Sequence, residues 1–169
     1  DVAVGGWRNT PYVVCQNVGA YLDITRFLDS DHAVRSADDA ESYIARLESY
    51  PHQLDGELGR LRAAAAGGLV APDFVIDAAL VQLNQSLADA RADNGDLIAS
   101  LTRRTVAIPG DWGTRARRIT QQQVAPALER QIAELTRQRA KATPEPGMWA
   151  RPGGDGFYAW ALRAGTTTT

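Results

Sequence analysis

The residues able to carry chemistry are few. The chain has two histidines, His32 and His52, and a single cysteine, Cys15. Catalytic zinc takes about three protein ligands, often two histidines one helical turn apart. Neither His32 nor His52 has a histidine four residues on. Asp55 follows His52 at a usable spacing, but no third ligand is near in sequence, so no metal ligand is assigned. Carboxylate pairs occur at Asp29 and Asp31, Asp38 and Asp39, and Asp73 and Asp77. Such pairs serve general acid–base chemistry, but each sits at a turn or helix start, where capping accounts for it. Cys15 lies in an apolar run without a local histidine, the setting of an inert buried thiol. No serine stands in a Gly-x-Ser-x-Gly elbow. The Gly5-Gly6, Gly67-Gly68 and Gly153-Gly154 pairs precede neither Lys-Ser nor Lys-Thr, so none is a phosphate loop. Arg103-Arg104 and Arg117-Arg118 could hold an anion, but the first reading is a solvated helix face. No catalytic residue is assigned.

The aromatic residues near the end carry more. Trp149, Phe157, Tyr158 and Trp160 precede the run Thr166 to Thr169. Core packing is one reading. The other is the wall of a substrate cleft, because Tyr and Trp each combine an apolar body with a polar edge. On that reading Tyr158, Trp160, Thr166 and Thr167 are the substrate-cleft candidates. The threonine run is a poor helix former, since β-branched side chains lose rotamer freedom in a helix.

These residues need a scaffold, and the chain can build one. Its 169 residues are 44% hydrophobic and 22% charged, within the range of a single globular unit with a core. No stretch reaches the roughly 18 apolar residues of a membrane span. A formal charge of −2 argues against a dedicated nucleic-acid binder. The segment 23–57 is rich in acids and the segment 103–141 is rich in arginine. The first reading is two surfaces that complement each other within the fold. The lone cysteine rules out an internal disulfide and leaves the redox compartment open.

Apolar residues recur at helical spacing, and no segment alternates with period two. The fold expected is all-α, a helical array or bundle of about five to seven helices. Thr10-Pro11 is expected to open a first helix carrying Tyr12 to Leu22, with Asp29-Ser30-Asp31 as a turn. Ser36 is a good N-cap for a helix with Ala40, Tyr43, Ile44 and Leu47 on one face. Pro51 is expected to kink that helix or start a new one. Leu54, Leu58 and Leu61 continue the stripe to a stop at Gly67-Gly68. Pro72-Asp73 opens a helix lined by Val75, Ile76, Ala79, Leu80, Leu83 and Leu87. A turn at 93–96 leads to a short helix with Leu97, Ile98 and Leu101 inward, closed at Pro109-Gly110. Asp111 is expected to cap a final helix of about thirty residues, bent at Pro126. Thr143 to Gly147 stops it.

Several stretches together are similar to the bacterial domain-of-unknown-function 885 family. They are Thr10-Pro11-Tyr12-Val13-Val14-Cys15-Gln16, Gly19-Ala20-Tyr21, Phe27 to His32, Ala37 to Leu47, Val70 to Phe74, Val124 to Leu128, and Phe157 to Leu162 with Thr166 to Thr169. Cys15 departs from a serine position. The family resembles zinc metallopeptidases of the largely helical thimet oligopeptidase and carboxypeptidase Taq type. Its metal motif is a His-Glu pair followed by Pro-Gly-His-His, with a Glu-Gly-Trp segment further on; none occurs here. The resemblance therefore implies that residues 1–169 are the N-terminal helical part of a longer, mostly helical chain. That part would be scaffold and cleft wall of a zinc-dependent peptidase-like hydrolase, with zinc held in the full-length protein and no cofactor in this part. Its partner would be the C-terminal catalytic remainder of its own chain. A peptide is the implied substrate, and the bacterial cell envelope or export the implied location. The abrupt start at Asp1 and end at Thr169 fit the same expectation. The rival is a self-sufficient helical binding or scaffold domain without catalysis.

Overall fold

A computed structural model describes residues 11–166. The apolar stripes become seven α-helices among the described residues, with no strand there. Helix α1 spans Ala20–Arg26 and runs on as a π-helical turn, Phe27–Asp31. Helices α2, Ala37–Ala66, α3, Asp73–Arg91, and α4, Asp96–Arg104, follow. Helix α5, Trp112–Ile119, continues through a second π-helical segment, Thr120–Val124, into α6, Ala125–Arg139. A 3-10 turn, Met148–Ala150, precedes α7, Gly154–Gly165. The core lies where α6 packs on both α3 and α2, with α5 against α2 and α4. The stripe residues Tyr43, Ile44, Leu47, Leu54, Ile76, Leu83, Ile98, Leu101 and Ile119 are all buried there.

Local chemistry sets the helix ends. Asp39 N–H donates to Ser36 Oγ at 3.2 Å, and Asp39 Oδ2 accepts from Arg35 N–H at 2.8 Å, a reciprocal cap at the start of α2. At its other end, Leu69 N–H donates to the Ala64 carbonyl and Gly68 N–H to that of Ala65. This is the Schellman pattern, with Gly68 as its left-handed residue.

The first expected helix does not begin at Pro11. Cys15 and Val18 exchange both backbone hydrogen bonds, at 2.9 and 3.2 Å, in a tight turn through Gln16 and Asn17. Gly19, at φ +150°, then redirects the chain into α1, a conformation closed to residues with a Cβ. Val14 and Tyr21 are still buried, so the apolar band survives without being one helix. Thr10 and the expected coil before it lie outside the described residues. The Asp29–Asp31 turn is π-helical, closed by His32 N–H to the Phe27 carbonyl at 2.8 Å. No new helix starts at Pro51; α2 runs through it, held by buried Leu47, Tyr50 and Leu54 on either side. Near Pro126 the irregularity is a π segment ending two residues earlier. A proline cannot donate to the carbonyl four residues back, and the widened turn absorbs that lost bond.

The acidic and arginine-rich segments meet. Arg115 on α5 grips Glu41 on α2 through two bonds of 2.6 and 2.7 Å, and Arg130 on α6 grips Asp55 on α2 at 2.7 and 2.9 Å. The charge asymmetry of the sequence is thus spent in part between helices.

Candidate functional site

The four cleft candidates do not share one environment. Tyr158, on α7, is 62% exposed, and Leu162 one turn later is 44% exposed. Trp149, on the 3-10 turn that packs against α7, is 72% exposed. Trp160 faces the other way. It is buried beside Phe157, with ring centroids 5.8 Å apart, and its indole N–H has no partner among the described residues. Thr166 caps α7 in extended conformation, its hydroxyl donating to the Leu162 carbonyl. Thr167 lies outside the described residues. So α7 has an inward edge, Phe157 and Trp160, and an outward edge, Tyr158 and Leu162, and Trp149 is exposed on the turn before it.

Neither histidine offers a metal site. His32 is buried, with Nε2 3.1 Å from the Arg46 guanidinium and its ring edge-on to Phe27 and Tyr43. Burial first, and Arg46 second, hold its pKa below the usual histidine value, and a neighbouring guanidinium repels a metal as it repels a proton. His52 is exposed on α2. No group of three or more His, Cys, Asp or Glu among the described residues is placed to hold a metal ion. The described residues therefore do not fit zinc. Cys15 is buried and its thiol is free.

Two buried glutamates escaped the sequence reading. Glu57, on α2, accepts from Ala20 N–H at 2.9 Å and from Gln131 Nε2 at 3.1 Å. Burial pushes its carboxyl above the usual range, although these bonds oppose the rise. Glu134, on α6, accepts from Arg137 at 2.5 and 3.1 Å, from Gln138 at 2.8 Å and from Arg62 at 3.4 Å. The Arg137 bonds chiefly draw its carboxyl down to about 2. Glu57 thus ties α2 to α1 and α6, and Glu134 ties α6 to α2.

A cleft opens elsewhere. Its inner chamber, about 180 Å³, is walled by Tyr50, Leu97, Ile98, Val124 and Leu128, with Thr25, Thr120, Asp89 and Asp96 as its polar lining. It adjoins an outer chamber of about 600 Å³ that shares Thr25, Ser86 and Asp96 and adds Arg26, Asp29, Ser30 and Arg103. Asp89 is half-buried, and its Oδ1 accepts from Asp96 N–H at 2.8 Å, tying the end of α3 to the start of α4. Burial above all pushes the Asp89 carboxyl up, and the Asp96 charge adds to the rise. Gly95 permits this approach: a Cβ there would stand 2.2 Å from the Asp89 carbonyl oxygen. Sequence reading missed the cleft because the walls of its inner chamber come from six separate elements. Only the turn at 93–96 hinted at it.

No helix among the described residues is long and apolar enough to cross a membrane. No curated protein matches the chain significantly. Among solved structures the fold is similar to "the putative lipoprotein from Colwellia psychrerythraea", with TM-score 0.87 and 20% identity, over 95% of this chain and 29% of that one. The chain thus spans less than a third of that protein's length, and at this identity the likeness establishes the fold alone. The model of the family described as "Bacterial protein of unknown function (DUF885)" matches residues 4–169, nearly the whole chain, and the protein belongs to that family.

Proposed function

We propose that this chain is the N-terminal scaffold of a longer zinc-dependent, peptidase-like hydrolase and forms one wall of its peptide cleft. The observation that carries this reading is the outward edge of α7. Trp149, Tyr158 and Leu162 expose large apolar surfaces on neighbouring elements. Exposed apolar side chains that join into one patch mark interaction surfaces. A second support is length: the similar solved chain is more than three times as long as the part matched, which leaves room for a catalytic remainder. Metal and base would come from that remainder, because no donor set for zinc lies among the described residues. An envelope location belongs to the same proposal, since the similar structure is described as a lipoprotein.

The test uses the full-length protein. Metal analysis after dialysis should find one zinc per chain, and a peptide should be hydrolysed. The 169-residue chain alone should do neither. Tyr158→Phe should lower kcat/KM on the peptide by several-fold with stability unchanged. A full-length protein that holds no zinc and cleaves no peptide would favour the non-catalytic binding or scaffold role instead.

A further inference from the structure

We propose that the cleft at the junction of α1, α3 and α4, floored by Tyr50, Val124 and Leu128, is a binding site for a small apolar ligand bearing a primary ammonium group, an apolar α-amino acid or the amino-terminal residue of a peptide. This site is separate from the α7 edge and does not depend on the peptidase reading.

Three observations converge. The first is chemical. The inner chamber sets an aliphatic and aromatic wall against the half-buried carboxylate of Asp89, with the exposed Asp96 at its rim. The chain is rich in arginine, and the more deeply buried carboxylates have cations: Glu134 has Arg62 and Arg137, and Glu57 has Arg60 at 4.0 Å. Asp89 makes no ion pair among the described residues. A desolvated carboxylate without a cation is costly, and an ammonium group relieves that cost.

The second observation is structural. The two π-helical segments among the described residues both supply this cleft. Thr120 and Val124 from one line the inner chamber; Asp29 and Ser30 from the other line the outer chamber. Such segments are rare and recur at functional sites, because widening a turn re-aims side chains. Pro126 explains why the chain needs a widened turn, and the cleft shows where that turn directs its side chains.

The third is polarity along the cleft. Arg103 stands in the outer chamber and makes no ion pair among the described residues. An amino acid seated with its ammonium at Asp89 and its side chain against Leu97, Ile98 and Leu128 would turn its carboxylate toward the outer chamber, where Arg103 lies beside Arg26 and the carboxylates of Asp29 and Asp96.

The proposal is tested by titrating the purified protein, followed by calorimetry and amide chemical shifts, with L-leucine, L-leucinamide and N-acetyl-L-leucine. L-Leucine and L-leucinamide should bind, and N-acetyl-L-leucine, which lacks the ammonium, at least about tenfold more weakly. Asp89→Asn keeps an oxygen for the Asp96 amide but removes the charge. It should weaken L-leucinamide by about tenfold or more. Arg103→Gln should weaken L-leucine and spare L-leucinamide. Ser86→Leu fills the passage between the chambers, leaves Asp89 in place, and should block both ligands if Asp89→Asn fails to fold. Binding of both ligands assigns the site to free amino acids as well as peptides, and binding of L-leucinamide alone assigns it to peptide amino termini. No binding of either ammonium ligand, equal binding of N-acetyl-L-leucine, or unchanged affinity in Ser86→Leu overturns the proposal.

Discussion

Gln131 on α6 donates its side-chain amide to the Glu57 carboxylate on α2 at 3.1 Å, and the same nitrogen reaches the Leu54 carbonyl at 2.9 Å. Both side chains are buried. Together with the bond from Ala20 N–H, this joins the start of α1, the middle of α2 and the middle of α6 through one carboxylate. Glu57→Ala leaves the Ala20 N–H without its acceptor and Gln131 Nε2 with only the Leu54 carbonyl. The expected loss is about 2–4 kcal/mol in urea unfolding, with Glu57→Gln costing roughly half as much because one acceptor oxygen remains. A Glu57→Ala protein as stable as the parent would show that water replaces the carboxylate at no cost.

The two buried glutamates should give stability opposite pH dependences. Glu57 has its folded pKa raised above the ordinary 4.5, so its contribution is full below that value and is lost as pH rises through the folded pKa. Glu134 has its folded pKa lowered from 4.5 to about 2, so its contribution is present above 4.5 and is lost as pH falls toward 2. Solvent around the half-exposed Arg62 and Arg137 limits that second contribution to about 1–2 kcal/mol. Urea midpoints between about pH 2 and pH 7 should fall less steeply on the acid side in Glu134→Gln. They should fall less on the neutral side in Glu57→Gln. Parallel curves for the parent and both variants would contradict the assignment.

Arg104 should resist conservative replacement. Its guanidinium donates to the His32 and Leu28 carbonyls, each at 2.7 Å, and lies over the Tyr43 ring at 5.4 Å. It thereby clamps α4 onto the π-helical end of α1. Lysine carries the charge but not the planar fork, so Arg104→Lys should lose about 1–2 kcal/mol and Arg104→Ala about 2–4 kcal/mol. Full stability in the lysine variant would mean that charge alone closes the π turn.

The two sides of α7 should separate by stability. Trp160→Ala removes a buried ring and should cost about 3 kcal/mol, whereas Tyr158→Ala should change stability by less than about 0.5 kcal/mol. Comparable losses for both would mean that Tyr158 packs as Trp160 does, and the outward edge would lose its claim to a partner.

How much of this was legible in the sequence follows the range of the forces involved. Ser36 as a cap, the stripe from Ala40 to Leu61 and the stop at Gly67-Gly68 were readable because helix periodicity and end chemistry act within about four residues. The family was readable from stretches spread along the chain. The opposition of acidic and arginine-rich segments was readable as a balance of charge, though not as the pairs Glu41 with Arg115 and Asp55 with Arg130. The first helix was misplaced because the apolar band from Tyr12 to Leu22 looks the same whether it winds as one helix or bends at Gly19. Its burial settles neither.

By itself, then, the sequence determined an all-α chain, the ends of most helices, and the lack of a local metal motif. Only the tertiary structure decided what meets across helices. Glu57 and Gln131 are 74 residues apart, and Arg104 reaches a carbonyl 76 residues away. Tyr50, Asp89 and Val124 line one chamber only because α6 packs against α2 and α3 together. Whether a carboxylate is stapled, solvated or left facing a cavity depends on which neighbours exclude water from it. Those neighbours are fixed by packing, which no local pattern encodes.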